Sequence, residues 1–439
     1  MGRRLFGTDG VRGVAGVEIT AQLALALGRA VVLHSEQRAP RALVIRDTRE
    51  SGEMLEAALA AGIASAGGEV ALGGVLPTPA APLLIARHAF DLAVVISASH
   101  NPYGDNGIKF FGSDGLKLSD ETEQEIERHI ADDAAGSGAA IGRISALAGT
   151  AEDYVDELAR RFEGLSLEGV DVVLDCANGA TFEVGPTIFE RLGARVTALA
   201  VTPDGRNINA GCGSTHLEFL AAAVRDGGHD IGFAFDGDGD RMLAVDRHGT
   251  LVDGDELLAL AAIHLRDTGR LAGGGVAVTV MTNYGFHTAM AQAGIEVATT
   301  AVGDRYVLEA LRELGWTLGG EQSGHIIEMG FAPSGDGIAS ALLVLEALGG
   351  GDLHERAAMA KLPQRLVNVR LRDRDELVDA AAVEEAVAAE SAGLDGRGRV
   401  LVRRSGTEPL VRVMVEAPTA EETDAVCARL VAVVQGLLG

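Results

Sequence analysis

The amino-acid sequence predicts an α/β protein of three repeated α/β units with mixed sheets, followed by a smaller C-terminal α+β domain. Three observations carry this. First, three segments share one pattern of apolar run, turn, amphipathic helix closed near a Gly, and second apolar run: "ALVIRDTRES" leads to "ASAGGEVALGG", "DVVLDCANGA" to "ERLGARVTALA", and "VAVTVMTNYG" to "AQAGIEVATTA". Second, each continues through another helical stretch to a third apolar run, "FDLAVVIS", "HDIGFAF" and "LGWTLGG". Short apolar runs alternating with helices imply parallel or mixed sheets with covered faces. Third, the pattern changes near Gln364 to "RLVNVRL", a helix, "RVLVRRSGTEPLVRVMVEA" and a final amphipathic helix.

In chain order, the first unit spans 1–150 and includes a small-residue polar connection, "ADDAAGSGAAIG", from Ala131 to Gly142. The second spans 151–253, the third 254–363 and the C-terminal domain 364–439. The length of 439 residues suits two to four domains. With 47% hydrophobic residues the chain can bury several cores, and 58 glycines with only 4% aromatics fit a loop-rich enzyme. The net charge of −26 repels nucleic acid and anionic membrane, so an anionic substrate needs a local basic pocket. Cys176, Cys212 and Cys427 lie far apart without metal-site spacing and read as reduced thiols. No segment reads as a signal peptide, myristoylation site or membrane span, so a cytoplasmic protein is expected.

Each third apolar run delivers a polar loop: "ASHNP", "DGDGDR" and "EQSGH". In open α/β sheets, ligands bind at strand ends. Any one of these loops could be an ordinary turn of Asn, Gly, Pro and Asp. Three at one topological position argue for a site.

"DGDGDR" places Asp236, Asp238 and Asp240 at alternate positions between Gly237 and Gly239. In an extended loop these side chains point the same way. Three carboxylates so close need a cation, and all-oxygen ligands suit Mg²⁺. An EF-hand is ruled out, because Arg241 stands where its Gly is needed and Arg247 where its bidentate Glu is needed.

Around "SASHNP", a hydrolase would show GxSxG and a Walker loop would show Gly-Lys-Ser/Thr. Neither is present, and the only lysines are Lys109, Lys117 and Lys361. A serine beside His100, Lys109 close behind and a three-Asp loop elsewhere fit phosphoryl transfer, where catalysis is positioning and charge neutralisation. "RRSGTEP" offers Arg403, Ser405, Gly406 and Thr407, with Arg412 downstream, as a phosphate cradle. In "EQSGH", Glu321 and Ser323 suit sugar hydroxyls, and His325 could carry a proton.

Taken together, "TDGVRG", "ASHNP", "DGDGDR", "GEQSGH" and "RRSGTEP", in that order, resemble the α-D-phosphohexomutase family over nearly the whole chain. "FGTDGVRG", "ASHNPYGDNGIKFF", Gln322 and "VGDRYVLE" look most like its glucosamine-phosphate branch. The resemblance implies a heart-shaped, four-domain protein with a central active-site cleft. It implies interconversion of glucosamine 6-phosphate and glucosamine 1-phosphate through a phosphoserine enzyme and a glucosamine 1,6-bisphosphate intermediate and activator, feeding UDP-N-acetylglucosamine synthesis. By the same resemblance, Ser99 carries the phosphoryl group, and one Mg²⁺ per chain sits between it and Asp236, Asp238 and Asp240. Arg12, Lys109 and Arg241 would line the phosphoryl site, with His100 and His325 in the catalytic set. Glu321 and Ser323 would hold sugar hydroxyls, and Arg403, Ser405, Gly406, Thr407 and Arg412 the distal phosphate. Homodimerisation is a family expectation. One departure is Arg404, where the family usually has Pro or Ala. The alternatives are a phosphoglucomutase or phosphomannomutase of the same family, a metal-dependent sugar phosphatase, or a sugar-phosphate binding protein without turnover.

Overall fold

In all three repeats the first strand lies near the middle of its sheet, the second strand on one side and the third on the other. A fourth strand then folds back antiparallel to the third. The computed structural model describes residues 5–7, 9–131, 141–356, 358–371, 380–404 and 409–436.

The first sheet has the order Val11–Val14, Asp105–Gly112, Leu92–Ile96, Arg41–Arg46, Glu69–Val75, Ile144–Ala146. Arg41–Arg46 runs parallel to both Leu92–Ile96 and Glu69–Val75, while Asp105–Gly112 returns antiparallel. The second sheet has the order Leu251–Val252, Met242–Asp246, Ile231–Phe235, Asp171–Asp175, Arg195–Leu199. The third has the order Glu296–Thr300, Gly275–Thr279, Leu318–Gly320, Ile326–Glu328. Central strands are apolar throughout because helices cover both faces: Leu43, Val44, Ile45 and Ala93 to Ile96 are completely buried. The hairpin between the third and fourth strands therefore recurs three times. It carries residues 97–104, 236–241 and 321–325.

The C-terminal sheet is antiparallel, with Leu410–Glu416 between Gln364–Arg370 and Arg399–Arg404. Val411, Val413 and Val415 alternate inward and pack on Val426, Leu430 and Val434 of the helix Ala420–Gly436. By their contacts the residues form two bodies, Met1–Val280 with Ala298–Arg356, and Met281–Val297 with Ala357–Gly439. The helix Tyr284–Ala293, part of the third repeat by sequence, thus belongs to the second body. Buried Glu416 accepts hydrogen bonds there from Asn283 Nδ2 and the Tyr284 N–H. Among the described residues no helix is long and apolar enough to cross a membrane.

Candidate active site

The first hairpin holds its serine in a costly conformation. Ser99 has φ +53°, a left-handed backbone that costs a non-glycine residue about 1–2 kcal/mol. Such strain persists only where neighbours over-determine it. Ser97 Oγ donates to Asp47 Oδ2 at 2.6 Å and accepts the Ser99 N–H at 3.0 Å, and Asn209 Nδ2 donates to the Ser99 carbonyl at 3.0 Å. The Ser99 hydroxyl is buried. It donates to Asp236 Oδ2 at 2.5 Å and lies 3.2 Å from His100 Nδ1. Burial and the charges of Arg241 and Arg12 push the His100 pKa down, so the ring is neutral near pH 7.

The second hairpin brings three carboxylates together. One oxygen from each of Asp236, Asp238 and Asp240 lies within 4.8 Å of the others, and all three residues are buried. The sequence predicted an extended loop, but the backbone turns instead. The Gly239 N–H donates to the Asp236 carbonyl at 3.0 Å, with φ +70° at Gly239. A side chain at Gly239 would meet Thr181 and Pro77, which explains a glycine there beyond the dihedral. Convergence therefore comes from a tight turn and not from strand alternation. Asp238 Oδ2 accepts from Lys109 Nζ at 2.9 Å and Thr78 Oγ1 at 2.7 Å. Asp238 Oδ1 and Asp240 Oδ1 are buried with no hydrogen-bond partner among the described residues. Burial, then the charges of Asp240 and Asp238, hold the Asp236 pKa well above the usual carboxylate range. Clustered anionic oxygens, two of them unsatisfied, fit a hard divalent cation.

Behind the aspartates runs a ring of alternating charges joining all three repeats. Lys109 Nζ lies 2.9 Å from Asp238, 3.1 Å from Asp9 and 3.9 Å from Asp240. Lys117 Nζ bridges Asp9 and Asp304, both at 2.5 Å. His325 closes the ring, with Nε2 3.9 Å from Asp304 and Nδ1 3.7 Å from Asp240. Burial opposes the Lys109 charge, but Asp238, Asp9 and Asp240 outweigh it and hold the ammonium well above the ordinary lysine range. Burial likewise opposes protonation of His325, which Asp240 and Asp304 favour. Asp240 and Asp304 outweigh the burial and raise the His325 pKa, and the Gly335 backbone nitrogen lies 3.2 Å from His325 Nε2.

Arg12 pairs with Asp9, and its pKa is raised against burial by Asp9, Asp238 and Asp240. Arg241 sits 3.7 Å from Asp240 Oδ1, and its N–H donates to Asp236 Oδ1 at 3.2 Å. In the third hairpin Glu321 Oε1 accepts the Gly303 N–H at 3.1 Å. Ser323 Oγ is buried without a hydrogen-bond partner among the described residues. A cavity of about 480 Å³ between the first and third repeats is lined by Lys117, Ser119, Asp304, Arg305 and His325. Thus the structure gathers Ser99, His100, Lys109, Arg12, Arg241, His325, Glu321, Ser323 and the three aspartates in the first body. Arg403 and Arg412 face each other across the C-terminal sheet, in the second body. Ser405, Gly406 and Thr407 lie outside the described residues. Sequence reading missed Asp9, Lys117, Asp304, Asp47 and Thr78. The scarcity of lysine was the one available signal, since two of the three lysines meet in the ring.

Comparison with known proteins follows from this geometry. Models of phosphoglucomutase/phosphomannomutase match alpha/beta/alpha domain I at 3–136, domain II at 152–249, domain III at 253–365 and the C-terminal domain at 366–433. The chain belongs to the phosphoglucomutase/phosphomannomutase family. Within that family it is similar to the phosphoglucosamine mutase of Desulforudis audaxviator, 53% identical over 423 residues and 94% of each chain. It is also similar to that of Moorella thermoacetica, 50% identical over 443 residues, covering 99% of this chain and all of that one. A solved phosphoglucomutase/phosphomannomutase family protein from Burkholderia thailandensis shares the fold at TM-score 0.83 and 24% identity, over 99% of this chain and 97% of the other.

Proposed function

We propose that the protein interconverts glucosamine 6-phosphate and glucosamine 1-phosphate, with Ser99 as phosphoryl carrier. The observation that carries this is the buried Ser99 hydroxyl, 2.5 Å from Asp236 in a three-carboxylate cluster. The near-full-length similarity to proteins named phosphoglucosamine mutase supports the choice of substrate.

The carrier works by exchange. The free hydroxyl of the sugar phosphate attacks the phosphorus of phospho-Ser99. The new P–O bond forms as the bond to Ser99 Oγ breaks, the sugar hydroxyl gives up its proton, and Ser99 Oγ regains one. The 1,6-bisphosphate so formed turns over and returns its other phosphate to Ser99 in the reverse step. Asp236 Oδ2, 2.5 Å from Ser99 Oγ, lies within reach of the Ser99 proton. Lys109, Arg12 and Arg241 supply fixed positive charge against the phosphoryl oxygens, which bear the charge of the loose transition state. Asp236, Asp238 and Asp240 would hold one Mg²⁺, which would neutralise phosphoryl charge. Glu321 and Ser323 would take sugar hydroxyls, and Arg403, Ser405, Gly406, Thr407 and Arg412 the non-reacting phosphate. The product would enter UDP-N-acetylglucosamine synthesis in the cytoplasm.

The test is a coupled assay across glucosamine, glucose, mannose and N-acetylglucosamine phosphates, primed with glucosamine 1,6-bisphosphate and followed by phosphopeptide mapping. Glucosamine phosphate should give the highest kcat/KM, with label on Ser99. Release of inorganic phosphate without isomer exchange would make the protein a phosphatase. A higher kcat/KM for glucose or mannose phosphate would overturn the substrate.

A further inference from the structure

Arg49 is completely buried, yet it lies in no active-site loop and touches none of the three carboxylates of the aspartate turn. It follows the strand Arg41–Arg46 and is reached by the Ser99 hairpin at the end of the neighbouring strand Leu92–Ile96. All five of its guanidinium N–H groups are used. Nε donates to Asp47 Oδ2 at 2.8 Å. Nη2 donates to the carbonyls of Ser99 at 2.9 Å and Asn101 at 2.8 Å. Nη1 donates to the carbonyls of Pro102 and, at 3.0 Å, Asp105. One planar group thus grips four carbonyls of a single loop, from the residue in left-handed conformation to the start of the returning strand.

Its anchor belongs to the same device. Asp47 is completely buried, takes the Arg49 N–H at 3.0 Å as well as Nε, and accepts from Ser97 Oγ, which in turn holds the Ser99 N–H. The backbone on both sides of Ser99 Oγ is therefore fixed from one dyad, Asp47–Arg49. A lysine has three donors on a flexible stem and cannot copy a rigid five-donor fork.

We propose that Arg49 is a positioning residue for phosphoryl transfer: its guanidinium clamps the Ser99 loop in the left-handed turn that aims Ser99 Oγ at Asp236. The inference rests on Ser99 being the phosphoryl carrier. A misplacement of about 1 Å at a reacting atom can cost on the order of 10²-fold in rate. The residues proposed to hold the sugar and its distal phosphate lie elsewhere, so the loss belongs in kcat and in the transfer step.

Arg49→Lys and Arg49→Ala test this in the full-length protein, each loaded with glucosamine 1,6-bisphosphate. Three quantities are read: Ser99 label, single-turnover transfer from phospho-Ser99 to glucosamine 6-phosphate, and near-ultraviolet circular dichroism at the assay temperature. Arg49→Lys should stay folded, keep KM within about threefold and lose on the order of 10²-fold in transfer rate. Methylguanidinium should restore part of the Arg49→Ala rate, and methylammonium at equal ionic strength should not. Wild-type transfer in Arg49→Lys would overturn the inference. So would equal rescue by both amines, or a rate loss that only tracks the unfolded fraction. Absence of label on Ser99 in the unaltered protein would instead overturn the carrier assignment and the inference with it.

Discussion

The serine hairpin of the first repeat and the aspartate hairpin of the second occupy the same place in their sheets but are satisfied in opposite ways. In the first, the carbonyls of Ser99, Asn101, Pro102 and Asp105 all meet Arg49, and the Ser99 N–H meets Ser97. Its shape is complete within the protein. In the second, Lys109 and Thr78 donate to Asp238 and Ser99 donates to Asp236 from outside the loop, the Arg241 N–H donates to Asp236 from within it, and two buried carboxylate oxygens find no donor among the described residues. The lesson is that one topology serves two tasks. A carrier atom needs fixed geometry, and a charge-neutralising centre needs anionic oxygens in excess of protein donors. The turn after the first strand supports each of these two hairpins: Asp47 fixes the serine loop, and in the second repeat the Ala180 N–H donates to the Gly237 carbonyl at 2.8 Å.

The sharpest way to break this contrast is to remove the oxygen proposed as carrier. Ser99→Ala should lower turnover by on the order of 10⁴-fold or more, as loss of a nucleophile does, while the protein stays folded. A coupled assay alongside a thermal melt checks it, and residual activity near one tenth would move the carrier elsewhere. The aspartate loop should respond differently. Asp236→Asn makes permanently neutral a carboxyl whose ionisation its burial and neighbouring aspartates oppose, so its melting temperature in chelator should match or exceed that of the unaltered protein. Saturating Mg²⁺ at 100 times Kd should stabilise the unaltered protein by about 2.7 kcal/mol and the variant by much less. Equal Mg²⁺ shifts in both proteins would show that the loop is not the cation site.

The smallest effect concerns stability alone and comes from the third repeat. Asp336 caps the helix Gly337–Leu348, accepting the Ala339 N–H at 2.9 Å, and receives the Tyr154 hydroxyl at 2.8 Å. Burial raises its pKa to about 6. A carboxyl raised in the folded state contributes stability that is full below its ordinary value near 3.8 and lost as pH rises through 6. The contribution is about 3 kcal/mol at most. Asp336→Asn should flatten that loss, read as urea midpoints at pH 4.5 and pH 7.5. A parallel pH dependence in both proteins would place the titration elsewhere.

How much of this was legible in the sequence follows contact range. The three hairpin loops are local, so "ASHNP", "DGDGDR" and "EQSGH" announced themselves by composition and by their place after an apolar strand. The repeat was legible for the same reason, since each central strand is an unbroken apolar run buried on both faces. The charge ring was not. Lys117 meets Asp9 and Asp304 across 108 and 187 residues, and nothing in local pattern pairs one charge with another at that distance. The "RDTRES" stretch read only as a strand and the turn before a helix, because Arg49 acts on carbonyls, which carry no sequence signature. The edge strand Ile144–Ala146 is three residues long and exposed, too short for periodicity to reveal. The alternation expected of the aspartate loop failed at Gly239, where a positive φ makes a turn that spacing alone does not distinguish from an extended run.

The charge ring also shapes how this protein can be labelled. Of the three lysines, Lys109 is 1% exposed and Lys117 15% exposed at the side chain, both locked to carboxylates, while Lys361 is exposed. An amine-reactive dye or surface linker applied to the folded chain should therefore modify a single lysine side chain, although the surface is rich in charge. The two silent amines should become reactive only when the ring opens. The mass increments on unfolding would then count the loss of the site directly, one amine at a time.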